Sequence, residues 1–288
     1  MTADRARKQA ARKLKAVTGE PYNSARRRTQ HPKLTAICDT CSAPVADGDG
    51  ILWIPKADLA RAEPALQAFK QQQTQRFVAL SDYPELARWR VDHHACADLD
   101  GAAYAIELHR CRNWPNLINW TAHLMGKAWL SSTDWHRLLK DAVNAAGHRL
   151  NPTHHLAIPE LTITCGTCHQ PVRDREGALW VESSTLYNAR TGQQEFERKR
   201  MANESVSIWD YPDSAEWRVD HYACTDFEHS YYTVDVHRCR TWRSLADWTA
   251  HLMIKGWPDH TDWDTLLSAT TENTGECITP VTKPRLIP

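Results

Sequence analysis

One stretch of the chain is written twice, and this duplication limits the fold more than any other feature. Asp82-Tyr83-Pro84 leads through Trp89-Arg90-Val91-Asp92-His93 to Cys96, and Asp210-Tyr211-Pro212 leads through Trp217-Arg218-Val219-Asp220-His221 to Cys224. Both copies continue through His-Arg-Cys-Arg (His109 to Arg112, His237 to Arg240) into Trp-Thr-Ala-His-Leu-Met (Trp120 to Met125, Trp248 to Met253). A Cys-x-x-Cys precedes each copy, at Cys38 and Cys41 and at Cys165 and Cys168. The period of about 127 residues far exceeds the roughly 20–50 residues of a solenoid unit. It marks one domain repeated in tandem.

The 288 residues divide accordingly into a basic helical arm (1–33), a first repeat (34–143), a linker (144–160), a second repeat (161–272) and a disordered, Pro- and Thr-rich tail (273–288). Cys277 falls in that tail, outside the repeat as read here, and takes no role. Units this small often need a staple, and thirteen Trp and nine Cys against four Phe point to cores of large aromatics around a metal. The fold class is α+β, each unit combining hairpins with helices. Thr35 to Cys41 reads as a strand entering a metal knuckle, and Ile51 to Ile54 as the returning strand after an Asp-Gly-Asp-Gly turn. Residues 57–76 read as a helix whose counterpart, 183–203, has diverged. Asp92 is placed to cap a helix holding His93 and Cys96 in its first turn. Tyr104 to Cys111 and Tyr232 to Cys239 alternate as strands, and helices close each unit.

Cys38, Cys41, His93 and Cys96, and again Cys165, Cys168, His221 and Cys224, are the candidate ligands. A Cys-x-x-Cys turn converges two sulfurs on one ion, and His and Cys at i and i+3 share a face of a helical turn. Four nitrogen and sulfur donors are the set that tetrahedral structural zinc takes, giving two Zn2+ per chain. His94 is a weaker candidate, since its counterpart is Tyr222. His109 and Cys111, recurring as His237 and Cys239, are alternative ligands: Cys111 could replace His93 and leave the histidines outside the metal's immediate shell. A catalytic Cys-His pair is a further reading of the same residues. The His of Trp-Thr-Ala-His-Leu-Met and the repeated tryptophans read first as packing residues, although exposed tryptophans can stack on bases. Arg110, Arg112, Arg238 and Arg240 flank the strand cysteines and could meet phosphate.

Knuckle, hairpin and a second ligand pair at a helix start resemble the treble-clef class of zinc-binding domains. Val91-Asp92-His93 and Val219-Asp220-His221 resemble the Asp-His pair of HNH endonucleases. That resemblance implies a downstream Asn and a second His. Asn113 and His123 could fill those places in the first repeat, whereas Thr241 stands at the Asn113 position in the second.

The formal net charge of zero hides an asymmetry. Residues 1–30 hold Arg5, Arg7, Lys8, Arg12, Lys13, Lys15, Arg26, Arg27 and Arg28 against Asp4 and Glu20, a net charge of +7 that leaves −7 for the remainder. The run from Ala11 to Arg28 resembles a basic N-terminal element of assorted actinobacterial proteins. With no signal-peptide pattern and no apolar run of membrane-spanning length, the expectation is a cytoplasmic, reduced chain without a membrane, in which paired cysteines bind metal. The expected function is recognition without catalysis, of nucleic acid through the nine arm cations. A protein-interaction scaffold is the alternative and an HNH-like metal-dependent nuclease the second. Oligomeric state is not encoded in these features.

Overall fold

The computed structural model describes residues 34–46, 48–75, 82–144, 149–152, 160–202 and 205–281. The basic arm, with all nine of its predicted nucleic-acid-binding cations, lies outside the described residues.

The first unit runs β1 (Leu34–Ala36), β2 (Gly50–Pro55), α1 (Lys56–Gln75), β3 (Arg90–His93), β4 (Ala102–Glu107), α2 (Trp114–Met125), α3 (Trp135–Asn144) and β5 (Leu150–Pro152). The second repeats it as β6 (Leu161–Ile163), β7 (Gly177–Glu182), α4 (Ser183–Met201), β8 (Trp217–His221), β9 (Ser230–Asp235), α5 (Trp242–Met253), α6 (Trp263–Glu272) and β10 (Ile278–Pro280). This is the mixed helix-and-sheet, two-unit arrangement that the duplication implies. Among the described residues no helix is long and apolar enough to cross a membrane.

Each unit is built on a three-stranded antiparallel sheet with β2 between β3 and β4, or β7 between β8 and β9. Ile51, Leu52, Trp53 and Ile54 are all buried, as a continuous apolar run requires of a central strand covered on both faces. The register sets Gly50 opposite His93 and Gly177 opposite His221. A Cβ at Gly177 would stand 2.1 Å from the Asp220 carbonyl oxygen, so only glycine lets the strands approach here.

Beneath the sheets lie tryptophans whose indole N–H groups are satisfied inside the protein. Trp89 and Trp135 stack edge to face at 4.9 Å, donating to Thr133 Oγ1 (3.1 Å) and Thr121 Oγ1 (3.0 Å). Trp217 and Trp263 do the same at 4.9 Å, donating to Thr261 Oγ1 (3.0 Å) and Thr249 Oγ1 (3.2 Å).

Three sequence expectations are corrected. The strand expected to reach Cys111 stops at Glu107, and Leu108–Cys111 winds into a 3-10 turn that buries Leu108 and Cys111, three residues apart, on one side. The second copy turns identically at Val236–Cys239. Within the expected linker, Leu150–Pro152 forms β5 and pairs antiparallel with β1. Within the expected disordered tail, Ile278–Pro280 forms β10 and pairs with β6. Each repeat therefore extends past its closing helix, and Cys277 occupies the position of Arg149: Ile37 N–H donates to Arg149 O (3.1 Å) as Thr164 N–H donates to Cys277 O (2.7 Å).

The two units share one apolar core. α2 packs on α6 and α3 on α5, each pair the counterpart of the other, so the units meet as in a pseudo-twofold dimer. Across the seam Lys140 Nζ meets Asp247 Oδ1 at 2.6 Å, Arg243 Nε donates to Val143 O at 2.8 Å, and Thr271 Oγ1 donates to Asn119 Oδ1 at 3.0 Å.

Candidate metal centres

Each knuckle is a tight turn that aims two sulfurs the same way. Cys38 N–H donates to Ala43 O (2.9 Å) and Ser42 N–H to Cys38 O (2.9 Å), with Ser42 in the left-handed region at φ 61°. In the second unit Cys165 N–H donates to Gln170 O (2.9 Å), His169 N–H donates to Cys165 O (3.0 Å), and His169 stands at φ 57°.

The second ligand pair comes from the sheet. His93 is the last residue of β3 and Cys96 lies in the turn after it, closed by Cys96 N–H to His93 O (2.9 Å). The helix expected here is absent, and Asp92 is not its cap. Asp92 is fully buried and its carboxylate ties the strand to the knuckle, accepting from Thr40 N–H (3.0 Å) and the Trp53 indole N–H (2.8 Å), with Cys38 Sγ 3.1 Å away. Asp220 does the same with Thr167 N–H (3.2 Å), Thr167 Oγ1 (2.8 Å) and Trp180 (2.9 Å). Burial works against ionisation of Asp220, but the Trp180 and Thr167 donors outweigh it and hold its carboxyl below the usual range. Sequence reading missed this role for Asp92, Trp53, Asp220 and Trp180, although all four recur in register.

Around these frames the ligand atoms of Cys38, Cys41, His93 and Cys96 lie within 4.8 Å of one another, as do those of Cys165, Cys168, His221 and Cys224. Each Cys3His cluster can hold a metal ion. His93 Nδ1 is 3.4 Å from Cys41 Sγ while its Nε2 is 3.3 Å from Pro44 O. His221 repeats this with Cys168 Sγ (3.3 Å) and Pro171 O (3.3 Å). A ring that donates one N–H to a carbonyl presents the other nitrogen as a lone pair, the usual posture of a ligating histidine.

Burial opposes ionisation of Cys38, yet the N–H groups of Cys41, His93 and Thr40 bring its pKa down; Cys165 behaves alike. Cys96 and Cys224 are pushed up to about 11, by desolvation and then by the neighbouring thiols. Three sulfurs crowd each cluster, and a cation bound among them would favour their thiolate forms together.

The alternative ligands sit elsewhere. Cys111 and Cys239 are fully buried in the apolar core, where burial pushes Cys111 up and Cys239 up to about 12, the opposite of an activated nucleophile. His109 is exposed, and His237 Nδ1 pairs with Asp235 Oδ1 at 2.7 Å. His94 reaches Glu107 rather than a cysteine. Of the residues proposed by analogy to HNH endonucleases, Asn113 caps α2 through Asn116 N–H (2.9 Å) and His123 Nε2 bonds the Tyr104 hydroxyl (3.1 Å). Comparison with known protein families, with characterised proteins and with solved structures gives no match to this chain.

Proposed function

We propose that the chain is a zinc-binding recognition protein in which zinc is structural in both units and nucleic acid is the partner, engaged first through the basic arm. The observation that carries the zinc reading is the convergence of four donors, three sulfurs and one Nδ1, in each unit. Four nitrogen and sulfur ligands close a tetrahedral site and leave no position for substrate, unlike catalytic zinc. Cys38, Cys41, His93 and Cys96 would hold one ion, and Cys165, Cys168, His221 and Cys224 the other. When bound, the ion supplies charge neutralisation and a cross-link between knuckle and sheet, and its binding free energy becomes folding free energy.

The nucleic-acid reading is supported by the charge asymmetry, +7 in residues 1–30 and −7 elsewhere. Such an arm binds phosphates without regard to sequence, with affinity that falls linearly against salt on logarithmic axes. A protein partner is the second reading, favoured by Trp209 at 91% and Met201 at 79% exposure on the second unit.

Metal content of the purified chain tests the first half. Two zinc ions are expected, falling to one in Cys38→Ser and in Cys165→Ser with partial unfolding; a metal-free folded chain refutes it. Binding of duplex DNA across a salt series tests the second. A steep loss of affinity with salt, abolished when the nine arm cations are replaced by Gln, is expected, and salt-independent binding or none refutes it.

A further inference from the structure

A second feature recurs in both units at the rim of the core, where Tyr104, Trp120, Tyr232 and Trp248 pack against it yet stay partly exposed. In the first, the exposed Arg110 guanidinium lies 5.8 Å from the ring centroid of half-buried Trp120. Trp120 meets the exposed His123 ring edge to face at 5.2 Å, and His123 Nε2 bonds the Tyr104 hydroxyl at 3.1 Å. In the second, Arg238 lies 5.1 Å from Trp248, Trp248 meets His251 at 5.0 Å, and His251 Nε2 is 3.2 Å from the Tyr232 hydroxyl.

Packing against the core accounts for the Trp and Tyr of each array, but not for its Arg and His. Along α2 and α5 the copies differ even at a buried position, Ile118 against Ala246, and at Asn116 against Ser244 and Asn119 against Asp247. The Arg, Trp, His and Tyr, all at least partly exposed, are the same in both. Neither Arg110 nor Arg238 has a carboxylate partner among the described residues, so each holds an uncompensated positive charge over an indole. In the second unit burial, then Lys255, Lys140 and Arg238 lower the pKa of His251, opposed by Asp247, which itself pairs with Lys140. An arginine lying over an indole, beside a histidine, matches a ligand that is planar and anionic in alternation. Bases stack on such rings with little regard to sequence, and the arginine meets the adjoining phosphate.

We infer that the Arg110–Trp120–His123–Tyr104 and Arg238–Trp248–His251–Tyr232 arrays are two stacking sites for single-stranded nucleic acid. This rests on the nucleic-acid reading above and adds to it a preference that the arm alone does not confer.

The test compares fluorescently labelled oligothymidylate with an abasic strand of the same length by anisotropy, using the full chain. Bases are expected to improve affinity by roughly tenfold per array engaged. The improvement should vanish in Arg110→Gln/Arg238→Gln and in Trp120→Leu/Trp248→Leu, with circular dichroism confirming that each variant folds; the arginine pair, being exposed, guards against misfolding of the tryptophan pair. Replacing the nine arm cations with Gln should weaken both strands equally and keep the base preference. Equal binding of the two strands, or a preference that survives both double variants, overturns the arrays while leaving the arm reading intact. A preference retained with undiminished affinity in the arm variant overturns the arm reading alone. Binding of neither strand overturns both.

Discussion

In the first unit the carboxylate of Asp134 accepts from Trp89 N–H (2.8 Å) and from Arg149 Nη1 (2.8 Å), and Arg149 also donates to Trp89 O (2.8 Å). In the second unit Asp262 keeps the first bond, from Trp217 N–H at 2.7 Å, but Cys277 stands in place of the arginine. Asp262 has no cationic partner among the described residues. The side chains of Asp134 and Arg149 are only 8% and 5% exposed, so the two charges neutralise each other inside the core, with Asp141 Oδ2 3.3 Å from the other guanidinium nitrogen. Asp262, half-buried and alone, holds its proton to higher pH than an ordinary carboxyl, burial pushing it up to about 6 against the pull of the Trp217 N–H. The same turn can thus be closed by an ion pair or by a carboxyl group that titrates near neutrality.

That contrast can be broken most severely from the first unit. Asp134→Asn leaves the Arg149 guanidinium with only the more exposed Asp141 carboxylate at 3.3 Å and should cost about 3 kcal/mol in urea unfolding, whereas Asp262→Asn keeps the Trp217 bond and should be neutral or stabilising at pH 7. Equal costs would mean that the buried pair contributes no more than its hydrogen bond. A second contrast concerns the strand start. A Cβ on Gly177 meets the Asp220 carbonyl oxygen at 2.1 Å, while one on Gly50 meets the Val45 Cγ1 at 2.2 Å, a side chain that can turn aside. Gly177→Ala should therefore lose roughly 1–3 kcal/mol and Gly50→Ala distinctly less, read from the same unfolding curves.

The third contrast is in pH. Because the folded pKa of Asp262 is raised, the unfolded chain releases this proton first, and stability from it is complete below the usual carboxylate range and is lost as pH rises through about 6. Between pH 4 and 6 the wild type should lose about 1–2 kcal/mol relative to Asp262→Asn, partial solvent access trimming the full effect of the shift. A difference of the opposite sign would refute the assignment. The smallest effect belongs to the seam. Lys140 and Asp247 are 36% and 40% exposed, and Asp247→Ala should cost under about 1 kcal/mol, vanishing at high salt.

The duplication, the α+β class and the central strand at Ile51 to Ile54 were legible because repeated motifs and an unbroken apolar run leave few alternatives. The eight converging donors were legible for the same reason, their spacing occurring twice. The geometry joining them was less so. An Asp before a His and an i+3 Cys fits a helical turn locally and favours Asp92 as a helix cap, whereas pairing of β3 with β2 overrides that preference. Leu108 and Cys111 fit strand alternation until tertiary packing draws both inward. β5 and β10 were missed because three-residue strands with a proline at the end carry almost no local signal. Without β10 nothing marked Cys277 as the partner of Arg149.

Those two short strands have a consequence for how such a unit can be rearranged. Leu34 lies opposite Pro152 and Ala36 opposite Leu150, and likewise Leu161 opposite Pro280 and Ile163 opposite Ile278. Each unit is entered and left at the same edge. A module whose two ends meet can be copied head to tail without stretching either copy, or cut at an outer loop and rejoined across that edge as a circular permutant. The clasp that closes each unit is thus also the splice point that makes a tandem chain of them geometrically simple.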